Sequence, residues 1–438
     1  MTGRRLTSLL AYVTATAAGT SLLAGCGVIP GATGGSREPV TVMTWAPDGT
    51  RATNMPGMPA MAQAYARWIN STGGIDGHEL RVLTCNEQNT SAGAAACARR
   101  AVREDVVAVV GSYSQNGRGF MAPLEAAGIP YIGGYGISDD EFTSPISYPV
   151  NGGQASLMAG HGMQLAESCR KVSLVRPDTI AGDRLPALLN SGLRKSRHSG
   201  AADIPALEDA AEYTQQAGRA RSKAGQEDGC VAAVLGERTQ TFFDSFRRLP
   251  AGEGDTGGTE AAGGRGAADA EGARPPAVRI SSVLGSVSQP VIDRTGGARS
   301  PFEGAYVTGW YPEANDPRWE PMRKVIQEHA FADNRVDPSD AGVQTTWIAY
   351  TVLKQVIESL DSDSITAPAV SHALDQGVRI DTGGLTPELR WHYEDMLGAP
   401  GFPRIVNHEV TFQVVRQGRL VAQKPGFVDV GETVLSAP

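Results

Sequence analysis

From position 40 onward the chain alternates two apolar patterns. Short β-rich runs predict strands at 40–45, 79–85, 106–110 and 130–132, and the unbroken 106–110 run suits a strand buried on both faces. Between the first two, Met58, Met61, Ala62, Tyr65 and Ile69 recur at helical spacing and stop at Gly73-Gly74; further helices are predicted over 91–104 and 119–127. A β-α-β-α-β-α-β order predicts a parallel, doubly wound sheet with right-handed crossovers.

A second set begins after Pro149. Helices are predicted at 154–168, 186–197, 211–223 and 240–249, and strands at 171–175, 204–207 (weakly) and 231–235. Strands at 278–283 and 304–309 follow, the latter leading into Trp310-Tyr311-Pro312. Long helices are expected at 318–330 and 342–360, and a hairpin of 410–415 with 419–423 around Gln417-Gly418. The predicted fold is α/β: two Rossmann-like lobes of flavodoxin-like order, joined by a multi-strand hinge, with a ligand cleft between them. Lobe 1 is expected over 40–149 and lobe 2 over 150–303, while 304–438 returns through the hinge, completing lobe 1 and part of lobe 2. Residues 251–276 are almost devoid of apolar side chains and read as a disordered insertion.

The first 39 residues follow neither pattern. Arg4 and Arg5 precede an apolar stretch over 6–23 diluted by Thr, Ser and Gly, the layout of a signal peptide rather than a membrane span. It ends in Leu23-Ala24-Gly25-Cys26, which resembles a bacterial lipobox; that resemblance implies cleavage after residue 25 and a diacylglyceryl group on Cys26. The Gly-, Pro- and Ser-rich residues that follow, up to 39, read as a flexible tether. Nothing later is apolar for long enough to cross a bilayer. The mature protein is expected on the extracellular face of the bacterial cytoplasmic membrane, held there by its lipid alone.

Four further cysteines, Cys85, Cys97, Cys169 and Cys230, favour disulfides in an exported chain, with buried free thiols as the alternative. Of three connectivities the local one suits the fold. In flavodoxin-like order the first and third strands of lobe 2 are neighbours, and Cys169 and Cys230 each sit just before one of these two. Pairing of Cys85 with Cys97 is less constrained. The seven histidines have no ligand spacing, so neither a metal nor a cofactor is expected. A formal net charge of −8 without a basic run argues against nucleic acid.

Trp68-Ile69-Asn70-Ser71-Thr72-Gly73-Gly74-Ile75-Asp76-Gly77-His78-Glu79-Leu80 resembles a segment of type I periplasmic binding proteins, the Leu/Ile/Val-binding proteins and their amide- and urea-binding relatives. The stretches 106–111 and 123–132 resemble that family's next strand, helix and strand. Gly304 to Pro312 is similar to its late strand and hinge passage. The resemblance implies capture of a small polar solute in the interlobe cleft and delivery, by a monomer, to an ABC permease and ATPase. It also implies that Ser114, Gln115, Gly136 and Ser138 hold a ligand's carboxylate and ammonium, although turn and capping chemistry favours such residues anyway. Trp45 and Tyr113, at the same strand ends, complete the candidate set in lobe 1.

Lobe 2 departs from the family. Ala181 stands before Gly182 where an aromatic residue is usual, Gly285-Ser286 offers no acid for an α-ammonium, and Glu237 and Arg238 follow the third strand. The last two either select a charged or polar solute or form a solvated surface pair. Trp310 and Tyr311 suit the hinge side of the cleft or the core. Two rival functions are weighed. One is a ligand-sensing lipoprotein of the same fold acting with a signalling receptor. The other, a hydrolytic enzyme, has only an S-x-x-K match at Ser168 without its companion motifs.

Overall fold

The computed structural model describes residues 37–437 apart from 52, 180, 226–227 and 250–277. Cys26, the leader, the tether before Arg37 and the 251–276 insertion therefore lie outside the described residues.

The first sheet has the order β2-β1-β3-β4-β5, all parallel, from β1 (Arg37–Ala46), β2 (His78–Asn86), β3 (Ala108–Val110), β4 (Tyr131–Ile132) and β5 (Ser147–Tyr148). Both faces of β1 are covered, so its apolar run is continuous. Alternation sends Val40 and Val42 to the face carrying the helices Gly57–Ser71 and Ala341–Leu360. Met43 and Trp45 go to the opposite face, against the helices Ser91–Arg103 and Gly117–Ala127.

The second sheet has the order β12-β11-β10-β9-β8-β6-β7. Its parallel part comprises β6 (Lys171–Pro177), β7 (Ala202–Ala206), β8 (Gly229–Ala233), β9 (Arg279–Val283) and β10 (Tyr306–Gly309). The expected hairpin, β11 (Glu409–Arg416) and β12 (Arg419–Ala422), adds antiparallel strands, and β13 (Val428–Asp429) pairs with β11. β6 and β8 are neighbours, with Val172 opposite Cys230. The Cys169–Cys230 disulfide closes across them with Cα atoms 5.7 Å apart, and Cys85–Cys97 ties β2 to the following helix at 5.8 Å.

Several boundaries differ from expectation. The weak strand ends at Ala206, leaving Leu207 outside it and 60% exposed. The 318–330 helix divides into a 3-10 turn, Pro317–Trp319, and the helix Glu320–His329. The two-residue β5 and the helix Ala367–Asp375 had no expectation; two residues carry no periodicity to read.

The chain passes between the sheets three times: after β5, after β10 and before β11. Tyr311 ties the three passages together. Its hydroxyl accepts from Asn151 Nδ2 at 3.0 Å and meets Thr345 Oγ1 at 2.9 Å, while its carbonyl accepts from Thr411 Oγ1 at 2.7 Å. Asn407 Nδ2 donates to the Val150 carbonyl at 3.1 Å, and Trp310 Nε1 to that of Gly153 at 2.9 Å. Both aromatic residues are thus buried parts of the hinge core.

Candidate functional site

The carboxyl ends of the parallel strands in the two sheets face each other. Between them lies a cavity of about 390 Å³, lined by Thr50 and Arg51 after β1, Gln88 and Asn89 after β2, Asp178 and Thr179 after β6, and Glu208 and Asp209 after β7. Loops beyond strand ends carry exposed backbone and variable side chains over a rigid sheet, which is why open α/β folds bind ligands there. The lobes also touch directly. Arg184 Nη1 meets Asp139 Oδ2 at 2.6 Å, and Arg238 Nη2 points at the Arg51 carbonyl at 3.5 Å. Gly285 (φ +89°) lies so close to Tyr135 that a Cβ there would stand 2.8 Å from the phenol oxygen.

In lobe 1 the cleft-edge loops are built around two buried carboxylates. Glu87 accepts from the Asn89 amide at 3.0 Å and from Ser114 Oγ at 3.0 Å, and Ser114 Oγ in turn accepts from the Asn116 amide at 3.1 Å. Glu141 takes three successive amides: Gly136 at 3.0 Å, Ile137 at 3.0 Å and Ser138 at 2.9 Å, plus Ser138 Oγ at 3.1 Å. Three converging N–H groups form an anion nest, and this one holds the chain's own acid. Gly136 is required there: φ is +85°, and a Cβ would come within 2.7 Å of Asn151 Oδ1. Burial pushes the Glu141 carboxyl up to about 7 despite the amides, and also raises Glu87.

The sequence candidates therefore divide. Trp45 is corrected outright: it is fully buried against Phe120 and Tyr131, on the side of the sheet set by strand alternation, and does not face the cleft. Ser114, Gly136 and Ser138 stand at the expected edge, but these polar groups serve Glu87 and Glu141. Gln115 Nε2 donates to Thr53 Oγ1 and the Tyr113 hydroxyl, each at 3.2 Å, and Tyr113 packs on Tyr135 with ring centroids 5.1 Å apart. Arg238 faces lobe 1, as its approach to Arg51 shows. Glu237 stands in the turn Gly236–Arg238, and its side chain lies outside the described residues. Gly182 opens a 3-10 turn and Ala181 precedes it.

All eight cavity-lining residues were missed. The signal was present: Asp178-Thr179 directly follows β6, and Glu208-Asp209 follows the weak β7. Asp178, Glu208 and Asp209 engage in no hydrogen bond or ion pair through their side chains among the described residues. Partial desolvation, with Asp209 beside it, raises the Glu208 carboxyl. Asn89 Oδ1 is shielded from solvent and accepts no hydrogen bond. Asn89 and Gln88 both hold left-handed backbone, φ +51° and +55°. Among the described residues no group of His, Cys, Asp and Glu is arranged to hold a metal ion. Nor is any described helix long and apolar enough to cross a membrane.

Comparison with known proteins returns the same two-lobed α/β architecture. The sequence profile of the family described as Periplasmic binding protein matches residues 43–396. The chain belongs to that family. Its solved relatives are distant in sequence and alike in fold. A branched-chain amino-acid ABC transporter protein from Thermus thermophilus with bound valine is 14% identical, with 91% of this chain and 99% of that one covered, at a TM-score of 0.68. A solute-binding protein from R. palustris in complex with 4-hydroxybenzoate is 12% identical, covering 89% and 97%, at 0.66. A fatty acid ABC transporter substrate-binding protein from Thermomonospora curvata is 11% identical, covering 90% and 94%, also at 0.66. No curated protein matches the sequence. The family consists of solute-binding proteins rather than enzymes, and this periplasmic binding protein has the two-lobed type I architecture of its Leu/Ile/Val-binding-like members.

Proposed function

We propose that this periplasmic binding protein captures a small polar solute between its lobes and delivers it to an ABC permease and ATPase, working as a monomer outside the cytoplasmic membrane and tethered by a lipid on Cys26. The observation that carries the reading is the interlobe cavity, walled by the strand-end loops of both sheets. A solute there contacts both lobes at once, so its binding energy favours the closed form over the open one. The closed form is what a permease would read as loaded. The proposed contacts are Arg51, Gln88, Asn89, Asp178, Thr179, Glu208 and Asp209, with Gln115, Glu237 and Arg238 adjoining, and with Ser114, Gly136 and Ser138 as the scaffold beneath.

A thermal-shift screen of the purified protein against amino acids, amines, sugars, fatty acids and aromatic acids tests the reading. A true solute at 100 times its Kd adds about 2.7 kcal/mol of stability. A flat response across every class would remove solute binding. For the anchor, mass spectrometry of the native N-terminus is expected to show a diacylglyceryl-modified Cys26 as the first residue; an unmodified peptide running through Cys26 would refute it.

A further inference from the structure

The contact of Arg184 with lobe 1 has more parts than an ion pair. Arg184 leaves lobe 2 in the 3-10 turn after β6, and its Nη1 meets Asp139 Oδ2 at 2.6 Å. The same guanidinium lies over the Phe402 ring, 4.7 Å from its centroid. Residue 401 is a glycine at φ +75°, and a Cβ there would come within 2.8 Å of Arg184 Nη2, so the missing side chain leaves room for the guanidinium. The two segments that receive Arg184 are fastened to each other and to the first sheet. The Arg404 amide donates to the Phe142 carbonyl at 3.1 Å, the Phe142 and Phe402 ring centroids stand 5.8 Å apart, and Arg404 Nε donates to the Ser147 carbonyl of β5 at 2.9 Å. Asp139 directly follows the three amides held by Glu141, so its loop is fixed from within lobe 1. Neither Arg184 nor Asp139, Gly401 or Phe402 is among the residues that line the cavity.

Given that the lobes open and close about the hinge, as in the reading above, we infer that Arg184 is a closure latch: it seats in a socket formed by Asp139, Gly401 and Phe402 and keeps the lobes together before any solute arrives. Both members of the ion pair are half-exposed, and such a pair alone shifts an equilibrium by no more than about fivefold. The cation–π stack contributes about two- to fivefold more. Together they favour the closed form by about tenfold. Opening pulls the guanidinium from every one of these partners at once, whereas closing finds them already in place. Because the latch is built from no cavity-lining residue, it strengthens the binding of every solute in proportion to the closed fraction and selects none.

Spin–spin distances between one label on each lobe, measured on the purified, solute-free full chain, test this. The parent should show a major closed distance. Arg184→Leu should raise the open-to-closed ratio about tenfold, Asp139→Asn or about 1 M salt about threefold, and the double variant no further than Arg184→Leu alone. A parent found only at the open distance, or a ratio indifferent to Arg184→Leu, would overturn the latch. So would an Asp139→Asn effect that persists in full on top of Arg184→Leu, because the two side chains would then not be partners. Should Arg184→Leu fail to fold, as its Tm would show, the salt series on the parent chain decides, and a ratio unchanged by salt overturns the latch. A shifted ratio beside a flat solute screen would keep the latch and remove the binding function, so the two fail separately.

Discussion

The two edges that meet at the cleft use their acids in opposite ways. On lobe 1, Glu87 and Glu141 are buried, multiply hydrogen-bonded and spent on shaping the loops after β2, β3 and β4. On lobe 2, Asp178, Glu208 and Asp209 are partly or largely exposed, unpaired among the described residues and turned to the cavity. An acid that accepts three amides rigidifies a loop but has nothing left for a ligand. An acid left unpaired beside a cavity adds little to stability and is free to bind. Lobe 1 thus supplies a preformed wall, and lobe 2 supplies most of its charge.

The difference is open to perturbation. The largest effect is expected for Glu141→Ala, which strands three buried N–H donors and leaves a void; urea unfolding should show a loss of about 3 kcal/mol or more.

A change in pH should expose the same carboxyl. Glu141 is raised from 4.5 to about 7, so the native state holds the extra proton and stability falls as pH rises through that window. The fully buried His161, between Thr308 and Ser281, is lowered from 6.5 to about 4; there the unfolded chain holds the extra proton, and stability rises with pH. Each contribution is about 3 kcal/mol and the two oppose. Between about pH 4.5 and 6.5 they offset in the parent chain, whereas Glu141→Gln should show stability climbing with pH. An unchanged profile in that variant would mean that Glu141 does not titrate across the window.

Gly285→Val places bulk against Tyr135 at a left-handed backbone position, and should cost about 1–2 kcal/mol and hold the lobes apart. Small-angle scattering should then show no compaction on adding solute. The smallest stability change, within about 0.5 kcal/mol, is expected for Glu208→Gln, because that acid supports nothing in the fold. A loss like that of Glu141→Ala would erase the contrast between the lobes.

Most of the fold was legible because each layer has its own period. The apolar run at β3 and the helical spacing of Met58, Met61 and Tyr65 reflect burial on known faces, and the neighbouring of β6 and β8 brings Cys169 and Cys230 together. The site was legible only as an edge. Trp45 was misplaced because β1 is covered on both sides, so both sets of its alternating residues are apolar and neither announces the cleft. Asp178, Glu208 and Asp209 look like ordinary turn residues until the hinge sets them opposite Arg51 and Asn89. That pairing arises from three chain passages far apart in sequence, and no local pattern encodes it. The capture of the Gly136–Ser138 amides by Glu141 is likewise a matter of where the short helix Asp140–Thr143 folds back.

The central claim, solute binding between the lobes, is tested most directly by plugging the cavity. Thr179→Trp should fill the space between β6 and the Gln88-Asn89 loop without touching the hinge. Thermal shift of parent and variant across the solute screen is expected to show at least one solute that raises the Tm of the parent by several degrees and leaves that of the plugged protein unchanged. A variant that keeps the full shift would contradict the account, placing the solute somewhere other than the cleft.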